Sequence, residues 1–263
     1  MKNNNALLVA ALLVVGAGLL LSPLLIRTLL FQPYTIPSAT MEPTLHEGDY
    51  IVVSKNAYGY SRHSIIGSPP LFKGRVGFHA PARGDIVVFK LPRDGQTDYI
   101  KRLIGLPGDR IQLRHGRIYI NGKAVPEHVE GVIKTRDRSD GLGNPSDETA
   151  TVQTETTPEG RNYRIQVHGP DEPASNTAVY TVPARCYFLL GDNRDNSLDS
   201  RFGPGLDPKE PKLGGCGWDG RVDSNLPATQ PGVGFVPEIN LVGRLWLVVR
   251  GGPRGSFRIE TVR

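Results

Sequence analysis

The chain has 263 residues, 31 lysines and arginines against 26 acids, and a formal net charge of +5. That length supplies a substantial core, either one large domain or one domain with an inserted lobe. The positive balance does not mark a nucleic-acid binder: the basic residues are dispersed among acids, no RNA-binding or helix-turn-helix pattern is present, and a basic surface facing anionic headgroups suits it better.

Residues 1–5 are a short polar tail carrying Lys2, and residues 6–26 carry no charge. A straight helix over that run rises about 30 Å, enough to cross the hydrocarbon of a bilayer. The apolar core exceeds the ~7–15 residues of a cleavable signal peptide, and Arg27 follows without a small-x-small site, so 6–31 reads as an uncleaved transmembrane anchor. Pro23, Gly16 and Gly18 are compatible with a membrane helix. Lys2 and the α-amino group before the span, against Arg27 after it, give a small excess favouring an inside N-terminus.

Beyond the anchor, short runs rich in Val, Ile, Phe and Tyr predict strands near 49–53, 85–89, 110–113, 117–120, 187–190 and 242–249. Asn121-Gly122 is a hairpin-turn signal, and 31 glycines with 22 prolines suit a mainly β fold with many turns. Three stretches read as irregular. Residues 60–82 scatter Ile65, Ile66, Leu71, Phe72 and Phe78 among Gly and Pro, a ribbon or loop; 136–161 is polar and reads as a flexible loop; 203–234 shows no pattern. Cys186 and Cys216 are compatible with one disulfide in an oxidising compartment, and equally with two unpaired thiols.

Amide hydrolysis needs a nucleophile, a base and oxyanion donors. The six histidines read as surface or loop residues, no GxSxG elbow is present, and neither HExxH nor a Cys/His cluster suggests a metal. A lysine serves as base when burial lowers its pKa toward neutrality. Lys101 lies in the strand-like run 99–104, where alternation puts Tyr99, Lys101 and Leu103 on one face and Ile100, Arg102 and Ile104 on the other. Hydroxyls two apart, Ser38 and Thr40, sit on a proline-punctuated turn shortly after the anchor.

IPSATMEPTL (36–45), GDYIVVSK, RGDIVVF, YIKRLIGLPGD (99–109), INGK, GDNRDNSLDSRFG (191–203) and GFVPEINLVGRLW follow one another in an order that resembles the type I signal peptidases, membrane-anchored serine proteases with a Ser/Lys dyad. The resemblance covers most of the chain. It implies a mainly β, two-lobed antiparallel fold with an N-terminal transmembrane helix. Residues 32–104 and 182–263 would form a discontinuous catalytic β lobe, with 105–181 inserted as a second β lobe. By position, Thr40 takes the nucleophile's place and Lys101 the general base's. Ser38 with the Thr40 N–H would form the oxyanion hole, and Ser197 would orient the lysine amine. Asp199 and Arg201 match a structural ion pair, Arg102 follows the base, and Asp192 belongs to a loop ordered by charge-assisted hydrogen bonds. Ile36, Met41 and Pro43 match the turn and floor of the substrate pocket.

Two departures stand out. The family's nucleophilic serine is Thr40 here, whose extra methyl stiffens χ1 and crowds the line of attack. About thirty residues, 203–234, intervene before GFVP, where family members often pass quickly. The implied activity is removal of signal peptides from exported preproteins after small-x-small (Ala-x-Ala) motifs. The implied setting is a bacterial inner membrane, single-pass, with the N-terminus cytoplasmic and the catalytic domain on the outer side. Preproteins, the lipid bilayer and the protein export machinery are the expected partners; no metal or organic cofactor is. The alternatives are a processing peptidase of narrow substrate range and a silenced signal-peptide-binding paralogue.

Overall fold

The structure, a computed structural model, describes residues 2–137, 146–170, 172, 174–203, 216–217, 231–251 and 257–261. Helix α1 (Lys2–Leu29) runs 28 residues with Pro23 inside it. Val9, Leu12, Leu13, Val14, Val15, Leu19 and Ile26 are all exposed along it, so these apolar side chains find no cover in the rest of the protein. Among the described residues no helix is long and apolar enough to cross a membrane. The side chains of 1–8, 17, 20, 21, 24 and 25 lie outside that description.

The end of α1 is tied to the β domain. The last carbonyls of a helix have no intrahelical donor, and here the body of the protein supplies them: Lys55 Nζ donates to the Arg27 carbonyl at 3.3 Å, Lys55 N to Leu30 at 2.8 Å and the Tyr60 hydroxyl to Leu29 at 2.6 Å. Lys55 is 1% exposed, and burial lowers its pKa to about 8.

The strands follow the short β-branched runs. In the first half they are β1 (Phe31–Thr35), β2 (Tyr50–Ser54), β3 (Tyr60–Ser61), β4 (Arg75–Val76), β5 (Ile86–Lys90) and β6 (Asp98–Gly105). The middle contributes β7 (Arg110–Arg114), β8 (Arg117–Ile120), β9 (Lys123–Ala124), β10 (Glu127–Asp137), β11 (Ser146–Thr156), β12 (Asn162–Val167) and β13 (Tyr180–Thr181). The last part adds β14 (Cys186–Leu190), β15 (Val236–Pro237), β16 (Leu241–Gly251) and β17 (Phe257–Thr261). The fold is mainly antiparallel β. The largest sheet has the order β1-β2-β16-β5-β6-β14-β15, with β17 on β16. A four-stranded sheet β13-β7-β8-β9 and a three-stranded sheet β10-β11-β12 are built from the middle, and β3 pairs with β4.

Alternation on β5 explains the double-sided core: Ile86 and Val88 join a cluster with Met41, Leu45 and Val53, while Val87 and Phe89 join one with Leu103, Leu189 and Val236. A strand buried on both faces reads as a continuous apolar run. A third cluster gathers Ile111, Ile118, Tyr180 and Phe188 around the disulfide Cys186–Cys216, whose Cα atoms are 5.9 Å apart. Asn121 and Gly122, at φ 54° and 80°, make the tight turn between β8 and β9.

Two expectations are corrected. Residues 146–156 are not a loop but β11, paired with β10 on one side and β12 on the other. Their polar surface hid a period-two burial in which Ala150 and Val152 point inward. His63 is not a surface histidine: it is 3% exposed, its Nδ1 lies 3.0 Å from Ser68 Oγ, and burial lowers its pKa to about 4. The segment 204–215, Trp218 and 219–230 of the expected insert lie outside the described residues.

Candidate active site

Thr40 sits in a single 3-10 turn, Ala39–Met41, between β1 and β2. Pro37 and Pro43 bracket the turn, and Met41 and Leu45 anchor it from below as fully buried side chains. The first N–H groups of a helical turn lack an intrahelical acceptor, so the N–H of Thr40 is left to serve another group. Its carbonyl is engaged, accepting from Asn193 N at 3.2 Å, and the Asn193 side-chain amide donates to the Ala39 carbonyl at 3.2 Å.

Lys101 reaches this turn from the middle of β6. Its Nζ lies 2.8 Å from Thr40 Oγ1, across 61 positions of sequence. The lysine is 3% exposed, and burial lowers its pKa from the usual 10.5 to about 8, against the opposing pull of Asp199 and Asp192. An amine near neutrality, in hydrogen-bond contact with a hydroxyl, is equipped to take that hydroxyl's proton. Ser38 Oγ is 3.5 Å from Thr40 Oγ1 on the other side.

The loop after β14 closes the site from above. Gly191 packs so tightly that a Cβ there would lie 2.3 Å from Ser197 Oγ and 2.6 Å from the Thr40 carbonyl, so only glycine fits. Ser197 Oγ is buried and has no hydrogen-bond partner among the described residues, so it does not hold the Lys101 amine in this structure. Asp199 and Arg201 form a fully buried pair at 2.9 Å, and Asp199 also accepts from Gly191 N at 3.0 Å. Arg102 makes a forked pair with Asp192 at 2.7 and 2.6 Å and stacks on the Tyr163 ring at 4.5 Å. Ile36 and Met41 are 3% and 0% exposed and belong to the apolar cluster under the turn, and Pro43 is half-buried.

Several supporting residues gave no sequence signal. Glu155 on β11 receives both guanidinium arms of Arg194 at 2.6 Å, both groups fully buried. Gln166 on β12 bridges to Asn193, and Thr44 donates to Asp192 at 2.5 Å. The buried acceptors Gln166 Oε1 and Asn193 Oδ1 have no partner among the described residues. The density of charge in GDNRDN showed that this loop is ordered; nothing in the sequence named Glu155 as the acid it needs. Among the described residues no group of three His, Cys, Asp or Glu is placed to hold a metal.

The family model for "Signal peptidase, peptidase S26" matches residues 5–249. The signal peptidase I of Rickettsia typhi is 45% identical over 199 residues, 73% of this chain and 72% of that protein. That of Rickettsia akari is 45% identical over 195 residues, 71% and 70% of the two chains. A crystal structure of a signal peptidase I from Enterococcus faecalis V583 is 26% identical and covers 64% of this chain and 97% of that one, at a TM-score of 0.30. With a family match across nearly the whole chain and relatives at this identity, the protein belongs to the signal peptidase family, peptidase S26.

Proposed function

We propose that this member of the signal peptidase family removes signal peptides from exported bacterial preproteins with Thr40 as nucleophile and Lys101 as general base. The observation that carries this reading is the 2.8 Å contact between Lys101 Nζ and Thr40 Oγ1, made by an amine whose burial brings its pKa to about 8. Neutral Lys101 takes the proton of Thr40 as Oγ1 attacks the scissile carbonyl. The oxyanion is stabilised by the Thr40 N–H and the Ser38 hydroxyl. Protonated Lys101 then gives its proton to the departing amine, leaving an ester on Thr40. Water, deprotonated by Lys101, hydrolyses that ester and restores the site. The rate should therefore rise with pH through about 8, as Lys101 loses its proton.

Specificity for small-x-small sites, typically Ala-x-Ala, would come from shallow apolar pockets beside β6, the strand that carries Lys101, with the substrate extended against strand edges. Although no helix among the described residues is long and apolar enough to cross a membrane, the apolar run 6–31 is read as the single membrane anchor, with the N-terminus cytoplasmic and the β domain on the outer side of the inner membrane. Supporting this are the uncharged run 6–26 and the apolar side chains exposed along the helix. Burying such side chains in lipid removes their cost in water. From Ile26 to Thr40 an extended chain spans at most about 50 Å, which keeps the site near the bilayer where a cleavage site emerges.

The test is cleavage of an Ala-x-Ala preprotein in detergent by the full chain, Thr40→Ala, Thr40→Ser and Lys101→Ala. Activity abolished by Thr40→Ala and Lys101→Ala supports the dyad, and a faster Thr40→Ser measures what the methyl costs. Full activity in Lys101→Ala overturns the lysine base. Cleavage by Thr40→Ser alone makes this chain a silenced or redirected member of the family, whose function is binding or the cleavage of another substrate.

A further inference from the structure

Away from Thr40 and Lys101 the structure holds an open cavity of about 360 Å³, whose lining includes Asp85, Ile86, Arg161, Arg244, Trp246 and Thr261. Its charge is unbalanced. Arg161 donates to Asp85 at 2.8 Å, so that carboxylate is already committed, and Asp85 also accepts from the Tyr58 hydroxyl at 3.0 Å. The Arg244 guanidinium is left with Asp85 only at 3.9 Å and a half-exposed side chain. Among the described residues, two guanidinium groups against one carboxylate leave one positive charge facing the cavity.

Its position is equally specific. Trp246 stacks on Phe31 with ring centroids 4.7 Å apart, and Phe31 opens β1 two residues after α1 ends at Leu29. The cavity wall therefore sits beside the end of the helix proposed as the anchor. Indole rings favour that depth, where an apolar body and a polar N–H meet lipid and water at once. Beside it, β17 alternates so that Phe257, Ile259 and Thr261 share one face: Thr261 lines the cavity, while Phe257 and Ile259 are 70% and 64% exposed. An apolar stripe thus leads away from a cationic pocket.

We propose that this cavity binds the phosphodiester headgroup of an anionic phospholipid, with the acyl chains along Phe257 and Ile259. The single negative charge of the phosphodiester matches the surplus guanidinium, and the size lies within the ~300–1,000 Å³ of small-molecule sites. The placement at the bilayer rests on the anchor reading above; the pocket's own chemistry does not. Binding there holds the β domain against the membrane and is separate from the peptidase chemistry.

The chain contains two tryptophans, Trp218 and Trp246, so a Trp218→Phe background makes the indole signal report on the cavity. The full chain in neutral detergent is titrated with short-chain phosphatidylglycerol, short-chain phosphatidylcholine and inorganic phosphate. The expected result is a saturable fluorescence change with phosphatidylglycerol, none with phosphatidylcholine, and weaker binding of free phosphate. Arg244→Gln should weaken phosphatidylglycerol about tenfold, the loss of one charge-assisted contact, while cleaving a preprotein in detergent at the normal rate. That unchanged cleavage also shows that the variant folds. Equal response to both lipids, or no loss in Arg244→Gln, overturns the proposal; phosphate binding as tightly as phosphatidylglycerol overturns the lipid as source. Lipid binding without peptidase activity in the background chain would instead count against the dyad.

Discussion

A buried lysine is an unfavourable residue for folding, and Lys101 carries that cost at the position proposed for the general base. Its folded-state pKa of about 8 lies below the 10.5 of an unfolded lysine, because burial penalises the charged form. Below about pH 8 both states are protonated and the penalty is felt in full. As pH rises from about 8 toward 10.5 the folded chain sheds its proton first, and the cost fades. Lys101→Met keeps the length of the side chain and removes the charge. It should be more stable than the natural chain at pH 7 by up to roughly 3 kcal/mol, with the difference vanishing near pH 10.5, and should cleave nothing. Urea unfolding at pH 7 and 10 checks this; equal stability at both values would show that Lys101 carries no desolvation cost. Thr40 carries the opposite lesson. Its hydroxyl was legible in sequence as two positions from Ser38, but the contact that makes it a candidate comes from a strand 61 positions away.

At the scale of elements, the site is held by pieces from separate sheets, and the joints between them were the least legible part. The strands of the main sheet announced themselves through runs such as Ile86-Val87-Val88-Phe89, whose burial on both faces leaves no polar position to confuse the pattern. The β10–β11–β12 sheet did not. Val129, Val132 and Ile133 are exposed, and the polar residues of β11 follow no clear apolar stripe, so propensity alone pointed to a loop. What secures β11 is pairing on both edges together with the ion pair between Glu155 and Arg194, a long-range contact that local pattern cannot reveal. This pair fastens β11 to the loop whose Asn193 grips the Thr40 turn. Glu155→Ala leaves a buried guanidinium without its acid and should cost about 3–5 kcal/mol, with a parallel loss of cleavage. The double variant Glu155→Leu/Arg194→Met should recover most of the stability, since replacing both partners removes the unpaired charge. Chemical denaturation of both variants beside the natural chain checks this; a double variant no better than Glu155→Ala would mean that the loss comes from the missing hydrogen bonds between Glu155 and Arg194 and not from an unpaired buried charge.

For the molecule as a whole, the disulfide bears on the compartment proposed for the β domain. Cys186 leads β14, the strand that enters the GDNRDN loop, and both cysteines are buried in the cluster with Phe188 and Phe235. The bond closes a loop of 30 positions, and the chain-entropy argument gives it about 3–4 kcal/mol. A bond of this kind persists on the oxidising side of a membrane and is rare in the cytosol, which agrees with the topology proposed above. The sequence left this pairing open because spacing alone never fixes a disulfide; Cys186 and Cys216 meet only once the chain around β14 has folded. The bond also makes the topology measurable without a substrate. In intact cells carrying the full chain, denaturation in the presence of a maleimide should label neither cysteine, and reduction first should expose both. Cys186→Ser should then lower the urea midpoint by the equivalent of about 3–4 kcal/mol, while leaving Thr40 and Lys101 in contact and cleavage measurable below that midpoint. Full labelling without reduction would place the β domain on the cytosolic side, and with it Thr40 on the wrong face of the membrane for exported preproteins.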